Sequence, residues 1–280
     1  MENTLSIAIV GMGLIGGSLG LAIKKRTGHT VIGIDRDEKV MEAVLSSGAA
    51  DKIGAQHLGE ADLLILALDP HNATKVLNEY ASMLKRGAIV TDVCGVKRAV
   101  VRECTPICRH HGLHFVGGHP MAGKERGGFE NAAPDLFDGA YYIFTPQEDT
   151  PDFVLERLKQ LALGIGCAGI TLATPQQHDR MIAFTSQLPH VLAGAYVKSP
   201  QCPDHKGFSA GSFRDVSRVA TVDETLWTQL FLKNADYLCS EIDLLIQNLK
   251  DCRGAVADRD AERLEQVLRQ GRLRKEGVAE

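Results

Sequence analysis

Leu5-Ser6-Ile7-Ala8-Ile9-Val10-Gly11-Met12-Gly13-Leu14-Ile15-Gly16-Gly17 sets the reading of the whole chain. Residues 5–10 form a short apolar run of the kind that makes a strand buried on both faces. Glycines in the spacing G-x-G-x-x-G follow at once, and residues 17–25 continue as a helix. Each glycine has a separate purpose: Gly11 allows a tight turn, Gly13 lets backbone approach a pyrophosphate, and Gly16 lets helix and strand pack closely. The helix N-terminus offers unpaired N–H groups and the positive end of its dipole to phosphate. Glycines alone mark many turns. Here the next strand, residues 31–34, ends on Asp35 about 20 residues further on, where a carboxylate accepts hydrogen bonds from ribose hydroxyls. The expected ligand is therefore NAD, bound by Gly11, Met12, Gly13, Leu14, Ile15, Gly16 and Asp35. A 2′-phosphate would meet that carboxylate, although Arg36 beside it is the residue type that accommodates one.

Outward from this turn, residues 62–68, 88–91, 113–116, 140–145 and 166–172 are further β-rich runs. Helical spacing fills 73–84 and the stretch up to Ser46, which Asp35 or Asp37 would cap. Such alternation predicts a doubly wound parallel sheet. After Thr174-Pro175 the pattern becomes long helices over 176–198, 222–250 and 255–270, interrupted near 200–203 and 207–211. The expected fold class is α/β: a Rossmann-type doubly wound sheet over residues 1–173, with an all-α domain over 174–280. Leu226, Leu230, Leu238, Ile242, Leu245 and Leu249 make an apolar stripe that packs in a core or against a second copy in a homodimer.

The 280 residues, 44% hydrophobic and 24% charged, fit a soluble globular protein with an ample core. No run of about 18 apolar residues indicates a membrane span. Met1-Glu2-Asn3-Thr4 carries no basic leader, so a cytoplasmic location is expected. A net charge of −4 argues against a general nucleic-acid binder. Seven cysteines without C-x-x-C spacing read as free thiols. Cys104, Cys108, His110, His111 and His114 raise a zinc site. The two adjacent histidines are not spaced as ligands, and Pro106 interrupts the helical pattern, so no metal is expected.

Gly117-Gly118-His119-Pro120-Met121-Ala122-Gly123 directly follows a strand. In open α/β sheets, ligands bind beyond the carboxyl ends of strands, which puts His119 there. Imidazole titrates near neutrality and suits the base that an alcohol oxidation needs. By itself, a histidine beside a proline is as readily a structural loop residue.

The segment Gly118 to Gly123, with Glu125 and Gly128, resembles the signature of the prephenate dehydrogenases, enzymes of tyrosine biosynthesis. Thr185-Ser186-Gln187-Leu188-Pro189-His190 and Ser212-Phe213-Arg214-Asp215-Val216-Ser217-Arg218-Val219-Ala220 resemble two further segments of that family, and Trp227 falls at a family tryptophan. The resemblance implies oxidative decarboxylation of prephenate to 4-hydroxyphenylpyruvate with NAD taking a hydride. It assigns the ring hydroxyl to His119 and a substrate carboxylate to Arg218. It also implies substrate contacts at His190 and at Trp227, the latter a wall near the substrate within its own subunit or across a dimer interface, while Glu125 reads as a gate at the mouth, a partner of a nearby Arg or a solvated loop charge. Asp92 and Lys97 are weaker candidates for cofactor contact. One departure matters: Asp92-Val93-Cys94-Gly95 lacks the serine that many members carry at position 95, so no hydroxyl there orients the imidazole. Cys94 reads as a small buried hydrophobe. The chain leaves no room for a regulatory domain after residue 280 or a mutase-like helical extension before residue 5, so a single activity is expected. Rival readings are an arogenate dehydrogenase, a β-hydroxyacid dehydrogenase lacking its usual lysine helix, and a cofactor-sensing module with no use for His119.

Overall fold

A computed structural model describes residues 4–124 and 126–278. The apolar run folds as β1 (Ser6–Val10) and leads through the glycine turn into α1 (Leu14–Arg26). There follow β2 (Thr30–Ile34), α2 (Glu38–Ser46), β3 (Lys52–Ile53), β4 (Leu63–Leu66), α3 (Pro70–Tyr80), β5 (Ile89–Asp92), α4 (Arg98–His110) and β6 (His114–Pro120). After a long loop come β7 (Tyr141–Thr145), α5 (Asp152–Gly164) and β8 (Gly169–Leu172).

Among the described residues these strands form one sheet of eight, in the order β3-β2-β1-β4-β5-β6-β7-β8. β1 to β6 pair in parallel. The order reverses between β1 and β4, and a crevice opens beyond the strand ends at such a point. Alternate residues of each strand bury on opposite faces. Ile7 and Ile9 pack with Leu19, Ile23 and Leu158, whereas Ala8 and Val10 join Leu77, Val101 and Cys104. Helices cover both faces, which is why these strands read as unbroken apolar runs.

The sheet departs from the wholly parallel expectation at one edge. β7 runs antiparallel to β6, and β8 pairs parallel to β7. Strand direction leaves no mark on the hydrophobic pattern. Pro106 also lies inside α4 rather than breaking it. Its ring cannot donate to the Arg102 carbonyl, and that turn is exposed to solvent, where the lost bond costs least. Asp37, not Asp35, caps α2 by accepting from the Lys39 amide at 2.9 Å.

The helical half starts with a reciprocal cap. Thr174 Oγ1 accepts from the Gln177 amide at 3.1 Å, and Gln177 Oε1 accepts from the Thr174 amide at 2.9 Å, with Pro175 in the first turn. The expected 176–198 helix is α6 (Pro175–Ile182), a π-turn over Ala183–Gln187, and α7 (Leu188–Tyr196). The expected break near 207–211 is followed by a short α8 (Gly211–Ser217). The expected 222–250 helix divides at Asn234 into α9 (Glu224–Lys233) and α10 (Ala235–Ala257), and α11 (Ala261–Glu276) closes the fold. No helix among the described residues is long and apolar enough to cross a membrane.

Candidate active site

At the crevice, Gly11 adopts φ +90°, and an added Cβ there would collide with the Ala67 carbonyl oxygen. A Cβ on Gly16 would run into the Gly11 carbonyl, so both positions require glycine. Gly13 differs: nothing lies within 4 Å of where its Cβ would be. It opens α1, whose N-terminus has no side-chain cap and no acidic residue in its first turn. An uncapped helix end above open space suits a diphosphate, so these residues fit a dinucleotide. Asp35 accepts from the Met12 amide at 2.8 Å and the Asp37 amide at 3.1 Å, which ties the end of β2 to the turn. Arg36 beside it is exposed. The Met12 side chain is fully buried in the core. With its N–H on Asp35, Met12 shapes the turn and offers no donor to a cofactor, a correction to its expected role.

Asp92 is a second correction. It is fully buried, pairs with the Lys97 ammonium, and accepts from the amides of Cys94 at 2.9 Å and Gly118 at 3.2 Å. Lys97 is equally buried and also donates to the Gly118 carbonyl at 2.7 Å. The pair braces the end of β6 from behind instead of touching a cofactor. Cys94 is buried, with Sγ 3.3 Å from the Leu68 carbonyl, and burial pushes its thiol well up. Cys104 and Cys108 lie in the core with raised thiol pKa values, while His110 is exposed. Among the described residues no cluster of His, Cys, Asp or Glu is arranged to hold a metal.

Braced in this way, β6 delivers His119 to the crevice. Its Nδ1 lies 2.9 Å from Nε2 of His178, a histidine of α6. His178 Nδ1 in turn lies 2.7 Å from Oδ1 of Asp179. Both side chains are sealed from solvent. Asp179 also accepts from the Lys97 amide at 2.6 Å and the Arg98 amide at 2.9 Å, capping α4 from the helical half. Burial opposes its charge, but the hydrogen bonds from His178 and the two amides outweigh it, so the carboxyl sits below its usual range. Burial, with the His178 and Lys97 charges adding to it, drives His119 well below the usual imidazole value. His178 is lowered too, chiefly by burial, although Asp179 pulls the other way.

Asn234, at the break between α9 and α10, locks the arrangement. It donates to the Asp179 carbonyl and to Gln187 Oε1, each at 2.8 Å, and accepts from Arg98 at 3.1 Å. Arg98 continues to Asp236, whose carboxyl it holds at about 2. His178, Asp179, Gln187, Asn234 and Arg98 are the residues that sequence reasoning missed. A signal existed: His178, Asp179 and Ile182 form the buried face of α6, and an adjacent His-Asp pair on such a face requires buried partners.

The sheet and the helices enclose a cleft of about 500 Å³, lined by Leu14, Ile15 and His119 on one side and by His190, Arg218 and Trp227 on the other. His190 donates from Nδ1 to the Val219 carbonyl at 2.7 Å and packs against Trp227 with ring centres 3.7 Å apart. Trp227 thus lines the cleft of its own chain. Nearby, Asp223 caps α9 through the Leu226 amide and Asp215 pairs with Arg214. Glu125 lies outside the described residues. The sequence-derived candidates His119, His190, Arg218 and Trp227 therefore meet in one cleft beside the glycine turn.

Comparisons with known proteins agree with this geometry. Two family models match in tandem: prephenate dehydrogenase, nucleotide-binding domain, over residues 19–171, and prephenate dehydrogenase, dimerization domain, over residues 174–270. The prephenate dehydrogenase of Bacillus subtilis is 32% identical, the alignment covering 99% of this chain and 76% of that one. A crystal structure of prephenate dehydrogenase from A. aeolicus, in complex with hydroxyphenyl propionate and NAD+, superposes with a TM-score of 0.87 at 25% identity, covering 99% of each chain. Synechocystis arogenate dehydrogenase gives 0.82 at 28% identity, covering 98% of this chain and 100% of that one. The chain belongs to the prephenate dehydrogenase family.

Proposed function

We propose that this chain is an NAD-dependent dehydrogenase that converts prephenate to 4-hydroxyphenylpyruvate by oxidative decarboxylation. It works in the cytoplasm as a homodimer joined through its C-terminal helices. The chain divides into an NAD-binding domain, residues 1–173, and a helical substrate and dimerisation domain, residues 174–280. The reciprocal Thr174–Gln177 cap supports that boundary. The carrying observation is His119, held from behind at Nδ1 and lining the cleft where the glycine turn, His190 and Arg218 converge.

Bound NAD supplies the acceptor for the hydride that leaves C4 of the ring. His119 Nε2 takes the hydroxyl proton as the carbonyl forms. Loss of the ring carboxylate as carbon dioxide feeds its bonding electrons into the ring, and the proton returns to the oxygen of the resulting phenol. Arg218 pairs with a substrate carboxylate through its planar, always-charged guanidinium. His190 and Trp227 wall the ring and exclude water. Gly11, Gly13, Leu14, Ile15 and Gly16 shape the dinucleotide site, with Asp35 at the adenosine ribose.

A second reading, arogenate as substrate, is favoured by the full-length likeness to the Synechocystis structure. Mixing the protein with NAD and prephenate, arogenate or a β-hydroxyacid, and following reduced nicotinamide by absorbance, decides among them. Reduction is expected with prephenate. Reduction with arogenate alone moves the assignment to the second reading, and reduction with neither overturns both.

A further inference from the structure

His178 and Asp179 do more than fasten the helical half to the sheet. We propose that they are the positioning and proton-holding partners of His119, forming a chain in which one buried carboxylate dictates the tautomer of two imidazoles. This rests on the reading of His119 as the group facing the reacting hydroxyl. Asp179 receives four donors: the Lys97 amide and His178 Nδ1 on one oxygen, the Arg98 amide and Arg98 Nε on the other. An ionised carboxylate only accepts, so His178 must carry its proton on Nδ1. Neutral His178 then presents a lone pair at Nε2, 2.9 Å from His119 Nδ1. His119 must therefore bear its proton on Nδ1, which leaves the Nε2 lone pair as the basic nitrogen. A free histidine has no such constraint. The tautomer needed for catalysis is thus written into the contact between β6 and α6.

The same chain holds the proton. When His119 Nε2 takes the hydroxyl proton, its Nδ1 proton passes to His178 Nε2. His119 is then neutral, and a His178 imidazolium lies against Asp179. The reverse shift restores the Nε2 lone pair as the proton returns to the phenol oxygen, so no proton is gained or lost. The charges around the chain favour this division. The Lys97 ammonium, paired with Asp92, disfavours a cation on either imidazole, but only on His178 do Asp179 and Asp92 act the other way and favour one. Arg98, shared between Asp179 and Asp236, adds a further charge on that side.

The test is imidazole 15N NMR on histidine-labelled, ligand-free full-length protein, combined with kinetics. In the wild type, His119 should show a protonated Nδ1 and an unprotonated Nε2. His178→Phe removes the acceptor, so the His119 signals should move toward tautomer averaging. kcat should fall by about 10²-fold, at the lower end of what general base catalysis supplies, with KM for NAD unchanged and the acid limb of the pH profile displaced. His178→Gln keeps an acceptor oxygen and should restore the His119 tautomer with partial recovery of kcat. His119 protonated at Nε2 in the wild type overturns the proposal, as does a folded His178→Phe protein with wild-type kcat and pH profile. The NMR result needs no substrate. If the wild type turns over none of the candidate substrates, the functional reading falls while the tautomer still decides the chain.

Discussion

In the proposed reaction the imidazole of His119 is the group on which the chemistry turns, and two measurable consequences follow. His119→Asn should leave NAD binding nearly intact and lower kcat by about 10²–10⁴, the usual share of general base catalysis. Arg218→Ala should instead raise KM for prephenate, because the substrate carboxylate loses a charge-assisted partner. Steady-state kinetics separates the two. Burial lowers the folded-state pKa of both His119 and His178 from the ordinary 6.5. The unfolded chain therefore binds more protons than the folded one as pH drops below that value. This contribution to stability is full above about pH 6.5 and is lost as pH falls through the folded-state values. Thermal melts should show Tm falling on acidification from pH 7, and less steeply in His178→Phe. His119 and Arg218 were legible in sequence because each sits in a segment of ordered motif. His178 was not, because its partner lies 59 residues away and only folding brings them together.

At the scale of elements, three irregularities build the site. The π-turn at Ala183–Gln187 faces the buried Gln187 inward, and such turns gather at functional sites. The break at Asn234 frees an amide that reaches both Asp179 and Gln187. The N-terminus of α4 has no cap of its own and takes Asp179 from α6 instead. Asn234→Ala leaves the Gln187 oxygen and the Asp179 carbonyl without this donor. It should cost about 1–3 kcal/mol in chemical denaturation, the usual penalty for an unsatisfied buried polar group. Hydrophobic periodicity located the helices, since it reports burial over several turns. It did not show these breaks, which depend on single polar side chains meeting partners distant in sequence. The antiparallel β7 escaped for a related reason: alternation records which face is buried and not which way the strand runs.

At the scale of the whole molecule, the helical half leaves apolar side chains uncovered. Leu244, Leu249 and Phe208 are 58%, 55% and 94% exposed. In the expected apolar stripe, Leu230 and Leu238 are buried within the chain, whereas Leu249 is exposed. A second copy joined through these helices covers such surface, so sedimentation should give a dimer. Leu244→Glu with Leu249→Glu should shift it toward monomer while leaving the sheet half folded by circular dichroism.

In the proposed reaction the two halves converge on one contact, the His119 imidazole against the ring oxygen of the substrate. A crystal structure of the protein with NAD and an unreactive phenolic analogue of the product measures it directly. The account predicts Nε2 within hydrogen-bond reach of the phenolic oxygen, with Nδ1 still on His178. A ring oxygen bound elsewhere, with Nε2 facing solvent or protein, would contradict it.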